Sequence, residues 1–589
     1  MILVATLALI GCANRGVGPQ GGPKDSIPPV PVQSEPENGT VNFHGKRIEV
    51  TFNEYIQLSD LGNNLLMSPP QQNPPDVKAR GKRLIVQFQD TLRDSTTYTI
   101  DFGAAVCDYT EKNPLPGFSF SFSTGESIDT LELHGAVINA EDLNSVGNIL
   151  VGIHSNLHDS ALTKEPFLRI AKTDSMGHFR IGNIHPGRYR LYALDDISRD
   201  YRFTLGEGLA FYDSIITVKA QQLQDSGNVS IGPSLRFFHE KKARLYLQRL
   251  QRDEQHAFRM LFSAPVDSLP MLRALRPSEY DSTRSDSAWF DFMPYIITQP
   301  SDKRDTVTYW ISDSLVISMD TLLLETRYRR TDSLYQLEWY TDTLMAVWRA
   351  PKLNAKARDA QERKNRNRRV ELHSNARKDF ELYDTLTLYS ATPLRTIYAD
   401  SLHLYQRVDS VLKSVAFTIE PHDSVTMSFR LLAALQPGEQ YELVVDSGAV
   451  QDIYGIANYS YEFKAQLKKP EDYSTLRVKL TPFNPQARIQ VLNNKDQVLR
   501  ELQAMPEGAF FQFLKPDTYY LRLYLDTNND GEWTTGEWSE HRQPEEVYYY
   551  HEKIQTKSNW DFEEEWDYTA MPQLKGKPAE LKKSTAKKK

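Results

Sequence analysis

Two patterns each occur twice along the 589 residues, so whatever fold one copy adopts the other must also accommodate. LRDSTTYTIDFGAAVCDY (92–109) runs on to the alternating GFSFSFSTG, and LQPGEQYELVVDSGAVQDIYG (435–455) runs on to NYSYEFKAQ. Leu92 to Tyr98 and Leu435 to Tyr441 share one six-residue step. Each copy then passes through an alternating strand, a Gly, Ala and Val, an Asp, and a last aromatic strand. Compatible first halves precede them, KRIEVTFNEYIQLSD (46–60) and DFELYDTLTLYSATPL (379–394), whose period of two marks strands with one buried face. We call this pattern module A. A weaker third copy falls within 240–350, where AFRMLFSAPVDSL echoes IEVTFNEYIQLSD; its later half is strand-rich but departs from the pattern. The second pattern, module B, is NIHPGRYRLYALDDISRDYRF (183–203) and FLKPDTYYLRLYLDTNNDGEW (513–533). Each is a Pro-led turn, an alternating Tyr/Leu/Arg strand and an Asp-rich loop.

A chain of this length exceeds a single core and should divide into four to six domains. Its 30 Tyr and 26 Phe, the alternating Thr and Val runs, and the Gly/Pro punctuation favour short strands and turns. The expected class is mostly β, in tandem β-sandwiches. The net charge of −8 is spread along the chain and leaves no basic face for phosphates, so nucleic acid is not indicated as a partner. Of the two cysteines, Cys107 reads as a small buried hydrophobe rather than a nucleophile.

DSIPPVPVQSEPENGT, KRIEVTFNEYI and the closing GFSFSFSTG resemble the bacterial Ig-like domain of S-layer-type and Bacteroidetes surface proteins, well over 25–125 and less well over 372–468. The first B copy, with GHFRIGNIHPGRYRL as its most specific stretch, resembles the carboxypeptidase regulatory-like, transthyretin-type β-sandwich, which implies no peptidase. The expected organisation is a signal peptide, lipobox and tether (1–24), an Ig-like sandwich (25–126) and a carboxypeptidase regulatory-like sandwich (127–235). A β-rich, degenerate Ig-like domain (236–350), a basic linker (351–371) and a second Ig-like sandwich (372–468) follow. A second transthyretin-like domain with the Asp-rich loop (469–568) and a basic tail (569–589), expected to be disordered for want of apolar residues to bury, end the chain.

The opening run MILVATLALIGC carries no charge and stops at Cys12, well short of the roughly 20 apolar residues a spanning helix needs. The Gly- and Pro-rich NRGVGPQGGPKDSIPP after it offers no periodic apolar face. The run therefore reads as a signal-peptide h-region, and Leu9-Ile10-Gly11-Cys12 resembles a bacterial lipobox. That resemblance implies acylation of Cys12 and a stable anchor on a membrane that the chain does not cross. Ala13 in the next position implies outer-membrane sorting, with either the periplasm or the exterior as the face.

The sharpest chemical motif is Asp526-Thr-Asn528-Asn-Asp530-Gly531-Glu532-Trp533-Thr-Thr-Gly-Glu537, which fits the calcium-loop pattern D-x-[DN]-x-[DN]-G-x5-E. Asp526, Asn528, Asp530, Glu532 and Glu537 are the candidate ligands for Ca²⁺, the only cofactor the sequence suggests. The flanking segments read as strands, so no helix-loop-helix can form, and the same residues would suit a structural hairpin loop. Both readings stand at this point. The thirteen His are scattered, and HExxH, G-x-S-x-G, a P-loop and zinc spacings are all missing, so no catalytic residue is assigned. Runs such as Glu563-Glu564-Glu565 read as solvated charge. The combination resembles the Ig-like domain lipoproteins of Bacteroidetes and implies a non-catalytic structural or interaction protein of the outer membrane, meeting a protein or glycan partner through loops and edge strands. The alternative is a carbohydrate- or peptide-binding surface lipoprotein, with the Trp533/Trp538 loop as its first candidate contact. An enzyme is the remaining, less favoured class.

Overall fold

The computed structural model describes residues 25–219, 232–241, 244–275, 289–332, 335–350, 368–409, 411–423 and 425–582. Cys12, the tether and most of the basic linker lie outside the described residues. The described chain forms two compact units, one ending at His239 and the other running from Glu240 to Lys582. Five separate apolar cores fill them, two in the first unit and three in the second.

The first A module shows why the alternating segments fold as they do. Ile48, Val50 and Phe52 leave the Arg47–Phe52 strand on one side and are 1–2% exposed, while Glu49 on the opposite face pairs with Arg47 and Arg83. Arg47–Phe52 lies between Pro31–Glu35 and Arg83–Gln87, and Asp76–Arg80 completes a four-stranded sheet. A second sheet sets Thr97–Asp101 between Leu66–Ser68 and Ser119–Ser123. A ribbon of Ile56–Leu58 and Val106–Asp108 completes the sandwich. All pairs are antiparallel.

Residues 372–466 repeat this order strand for strand with one addition. Val411–Ser414 pairs with Leu402–Val408 and extends the second sheet at the edge that Leu66–Ser68 leaves unextended in the first A module. Residues 247–347 keep the two main sheets and also carry an added strand, Trp289–Asp291, beside Met271–Leu275. Among the described residues they show no two-stranded ribbon, and they close through a hairpin of two eleven-residue strands, Thr321–Thr331 with Leu337–Val347. The echo of IEVTFNEYIQLSD in AFRMLFSAPVDSL is thus a shared strand position, and the divergent later half is where the long hairpin stands.

The two B modules share one topology. In the first, Leu131–Asn139 runs antiparallel to His178–Ile184 and parallel to Ser234–Phe237; the facing sheet sets Leu150–His154 between Arg169–Lys172 and Gly187–Leu194. In the second, Ser474–Thr481 runs antiparallel to Ala509–Leu514 and parallel to Asp561–Asp567, and Ala487–Leu492 lies between Val498–Gln503 and Thr518–Leu525.

The sequence steps that betrayed the repeats have a physical cause. The Arg93 amide donates to the Tyr98 hydroxyl at 2.8 Å, and the Gln436 amide to that of Tyr441 at 2.7 Å. In the B modules Tyr189 donates to the His185 carbonyl at 2.7 Å and Tyr519 to the Lys515 carbonyl at 2.8 Å, closing the Pro-led turns. Each tyrosine buries its ring and satisfies its polar end against its own chain.

One expectation is corrected. Residues 569–582, expected to belong to a disordered tail, form turns at Gln573–Gly576 and Ala579–Leu581. Leu581 is 4% exposed, and the buried Lys577 ammonium lies 2.7 Å from Asp496 and 4.8 Å from the centre of the Tyr549 ring. Composition alone hid this, because the segment finds its buried partners on the second B module that precedes it. The end of the expected basic linker also joins a module: Val370 is 3% exposed, and Arg368 and Arg369 lie over the rings of Tyr454 and Tyr459.

Candidate functional site

The Asp-rich loop follows the Thr518–Leu525 strand and leads toward Val547–Tyr549. Asp526 is 5% exposed and accepts from the amides of Asp530 at 3.1 Å and Gly531 at 2.9 Å. Gly531 has φ +81°, a conformation that costs a side-chain-bearing residue but not glycine. Asn528 accepts from the Asp530 amide and donates to the Asp530 carboxylate. Asp530 accepts from the Glu532 amide at 2.8 Å, the first of the contacts that hold its carboxyl below the usual range. Glu532 is exposed, and Glu537 accepts from Arg542 at 3.2 Å and Ser539 at 2.9 Å. The five sequence-selected residues therefore share one loop, but the carboxylates of Asp526, Asp530 and Glu537 are directed to loop amides, to hydroxyls and to Arg542. Among the described residues no group of three or more His, Cys, Asp or Glu is placed to hold a metal ion.

The residue that organises this loop is one sequence reasoning missed. Glu545, 5% exposed, accepts from the Thr527 amide at 2.6 Å and the Thr534 amide at 2.9 Å, while its carbonyl accepts from the Trp533 indole at 3.1 Å. The first B module has the same device without the calcium pattern. Glu207, also 5% exposed and likewise two residues before the next strand, accepts from the Ser198 and Thr204 amides, and Asp196 accepts from those of Asp200 and Tyr201. A Glu two residues before the returning strand is the signal that would have found it. The indole of Trp533 is thus tied inward, and Trp538, half-buried, meets His541 edge-on at 4.6 Å.

Deeply buried charge occurs elsewhere at the joints. In the first unit Arg169, 5% exposed, donates to the carbonyls of Ser68 and Thr97 and lies 3.6 Å from Asp129. In the second unit Glu381, 2% exposed, accepts from Tyr473 at 2.6 Å, Lys515 at 2.7 Å and Lys468 at 3.1 Å. Burial would raise the Glu381 pKa, but the bonds from Lys515, Tyr473 and Lys468 together win and hold it at about 2. His154 is the opposite case: packed against Phe167 at 4.9 Å with its Nε2 unpartnered, it is pushed by burial down to about 4, against the opposing pull of Glu165. His158, four residues on, lies in a loop beyond the strand's end. Cys107 is buried, and burial, then Asp108, raise its thiol pKa, which does not favour a nucleophile.

One cleft, of about 590 Å³, is lined by Tyr55, Ile56, Leu58 and Tyr109 of the first A module. Another, of about 180 Å³, is lined by Tyr548, Tyr550, Trp566, Tyr568 and the 570–576 segment; a third, of about 320 Å³, by Tyr473, Phe513 and Trp560. No helix among the described residues is long and apolar enough to cross a membrane.

Residues 25–124 match the family model described as a bacterial Ig-like domain. No curated protein matches the chain. Among solved structures it is similar to the N-terminal part of the bacterial S-layer protein SbsC, at 11% identity and TM-score 0.17, over 32% of this chain and 46% of that one. It is also similar to BcpA, the major pilin subunit of Bacillus cereus, at 8% identity and TM-score 0.15, over 74% of this chain and 99% of that one. Against domains 1–6 of SbsC the values are 9% and 0.13, over 85% and 64%. The chain spans less than half the length of the first of these, and at such TM-scores the likenesses carry no argument. The assignment that stands is a chain of β-sandwiches whose residues 25–124 match a bacterial Ig-like domain.

Proposed function

We propose that the chain is a non-catalytic structural or interaction lipoprotein of the bacterial envelope, held at the outer membrane through lipid on Cys12 and engaging a protein or glycan partner through its loops and edge strands. The observation that carries this reading is what the buried charge does. Arg169 and Glu381 fasten one sandwich to the next, Glu207 and Glu545 close loops, and Lys577 ties down the C-terminal segment. In a catalytic site such groups converge on a cavity; here they converge on main chain and counter-charge. The Ig-like match over 25–124 supports the same reading. We read the 526–537 loop as structural, supported by the parallel construction on Glu207 in a copy without the calcium pattern.

The carbohydrate- or peptide-binding alternative has its best support away from Trp533 and Trp538, at Trp560. That side chain is 58% exposed on the rim of the 320 Å³ cleft, and quenching of its fluorescence by a glycan or peptide would favour this reading.

The test of the anchor is intact-mass and lipid-labelling analysis of the membrane-bound protein and of Cys12→Ala, with protease accessibility read on the same cells. An acyl mass shift lost in the variant supports the anchor, and cleavage on intact cells assigns the exterior face. A wild-type chain that carries no lipid and keeps residues 1–11 overturns it.

A further inference from the structure

The first A module and the A module of 372–466 share a strand order but differ at one corner. Their registers align them: Pro31 faces Phe52 as Leu372 faces Ser390, and Ile56 faces Asp108 as Leu394 faces Asp452. Ile27, Val30, Tyr55 and Tyr109 therefore match Arg368, Glu371, Pro393 and Ile453. In the later copy this corner meets a neighbour. Pro393 is buried, Arg368 lies 5.7 Å from the centre of the Tyr454 ring, and the Tyr454 hydroxyl donates at 3.3 Å to the His256 carbonyl of the preceding module. The first copy keeps the backbone contact, the Tyr109 amide donating to the Tyr55 carbonyl at 2.9 Å as that of Ile453 does to Pro393 at 3.0 Å. Among the described residues, however, no module precedes it. Ile27, Val30, Tyr55 and Tyr109 are 64, 49, 64 and 67% exposed, and the two tyrosines line the 590 Å³ cleft. A corner that the sister module builds from Arg, Glu and a buried Pro does not need such side chains in order to fold. Exposed apolar groups gathered in one place mark a contact surface.

The point where the chain enters identifies the contact. Asp25, the first described residue, is held in this corner: its carbonyl accepts from the Asn113 side chain at 2.9 Å, and Val30 exchanges hydrogen bonds with Asn53, two residues before Tyr55. Only twelve residues lie between Cys12 and Asp25, so even fully extended they keep the corner within about 45 Å of lipid on Cys12. Tyrosine suits the boundary between membrane and water, because an apolar ring ends in a polar hydroxyl. Charge selects the kind of surface. Burial, and then Asp108, Asp25 and Glu111, push the Glu54 carboxyl pKa up, and this concentration of negative charge disfavours anionic lipid.

We propose that the Tyr55–Tyr109 corner of the first A module is a membrane seat, which rests on the zwitterionic headgroups of the bilayer that holds the Cys12 lipid. The inference rests on the anchored-lipoprotein reading and adds an orientation to it: the first module lies against the bilayer instead of swinging on its tether.

The experiment couples the chain from Cys12 onward, which keeps every described residue, through the Cys12 thiol to a maleimide-headed lipid in phosphatidylcholine vesicles. Cys107 is buried and does not compete. Hydroxyl-radical footprinting then compares coupled with uncoupled chain. Oxidation of Tyr55 and Tyr109 should fall about threefold or more on coupling, while that of Tyr398 and Tyr459, exposed on the later A module, stays the same. Phosphatidylglycerol added to the vesicles should reduce the protection. Ile27→Glu with Tyr109→Glu should restore Tyr55 oxidation, with circular dichroism and melting unchanged. Equal oxidation of Tyr55 and Tyr109 in coupled and uncoupled chain overturns the proposal, as does protection shared by Tyr398 and Tyr459 or left undiminished by phosphatidylglycerol or by the double variant. Protection that grows as the uncoupled chain is concentrated without vesicles assigns the corner to a second copy and overturns it too. Because coupling replaces cellular acylation, a chain that carries no lipid in cells leaves this result intact, so the two readings fail separately.

Discussion

The joint between the first A and B modules is built around a buried cation, and the joint between the A module of 372–466 and the second B module around a buried anion. Arg169 projects from the edge of its B module onto the carbonyls of Ser68 and Thr97, with Asp129 alongside. Glu381 lies in the A module and draws in Lys468, Tyr473 and Lys515. Two pairs of modules with matching strand orders are therefore joined differently. The two A modules also differ at that edge, which carries Val411–Ser414 in the later copy, where Arg500 of the B edge strand lies over the ring of Tyr383 in the 381 loop. The lesson is that a module's topology is fixed by its own core, whereas its docking follows from whichever edge is left open.

The largest expected effect is at Arg169. Arg169→Ala should destabilise the first unit by about 3 kcal/mol or more, since it removes a deeply buried charged donor and leaves two carbonyls and Asp129 without it. Denaturant unfolding should show the transition of the first unit moving while that of the second stays. A loss shared by both units would break the picture of independent joints.

Acid should separate the units next. His154 has a folded pKa of about 4, below its unfolded value near 6.5, so its contribution is complete above pH 6.5 and is lost as the pH falls toward 4. Glu381, at about 2 against about 4.5 unfolded, contributes fully above pH 4.5 and loses that contribution toward pH 2. Each window spans about 3 kcal/mol on this linkage. Fluorescence-detected acid titration should therefore show the first unit weakening between pH 6.5 and 4, and His154→Phe should flatten that step. A step that His154→Phe leaves unchanged would contradict the assignment.

Smaller and equal effects are expected at the matched tyrosines. Tyr98→Phe and Tyr441→Phe should each cost about 1 kcal/mol, because each leaves one backbone amide without its acceptor. A clear inequality in thermal melts would show that the corners carry unequal weight in the two A modules. The smallest effect is expected at the second Asp-rich loop: millimolar calcium or a chelator should leave the melting temperature unchanged, as befits a loop organised like that on Glu207. A calcium-dependent rise would distinguish this loop from its counterpart and restore the metal reading.

Much of the fold was legible because its signals are local. Alternation in RIEVTF places Ile48, Val50 and Phe52 inside, and the Leu-to-Tyr step marks a tyrosine that reaches back to its own turn. The candidate loop was legible as a loop, but the hydrogen bonds that hold it were not. The carboxylates of Asp526, Asp530 and Glu537, which fit a calcium pattern in sequence, are held by amides and Arg542, and Glu545 lies outside the motif that drew attention to the loop. The packing of the C-terminal segment was not legible because Lys577 is buried against Asp496, eighty-one residues earlier, and the Tyr549 ring.

The sequence by itself determined the class, the repeats and the inward face of each strand, since periodicity and turn chemistry act over a few residues. Only the tertiary structure decided which edges are covered, where Arg169, Glu381 and Lys577 find partners, and that a basic C-terminal segment packs. A buried charge is stabilised by groups brought to it from distant parts of the chain, and no local pattern encodes that encounter.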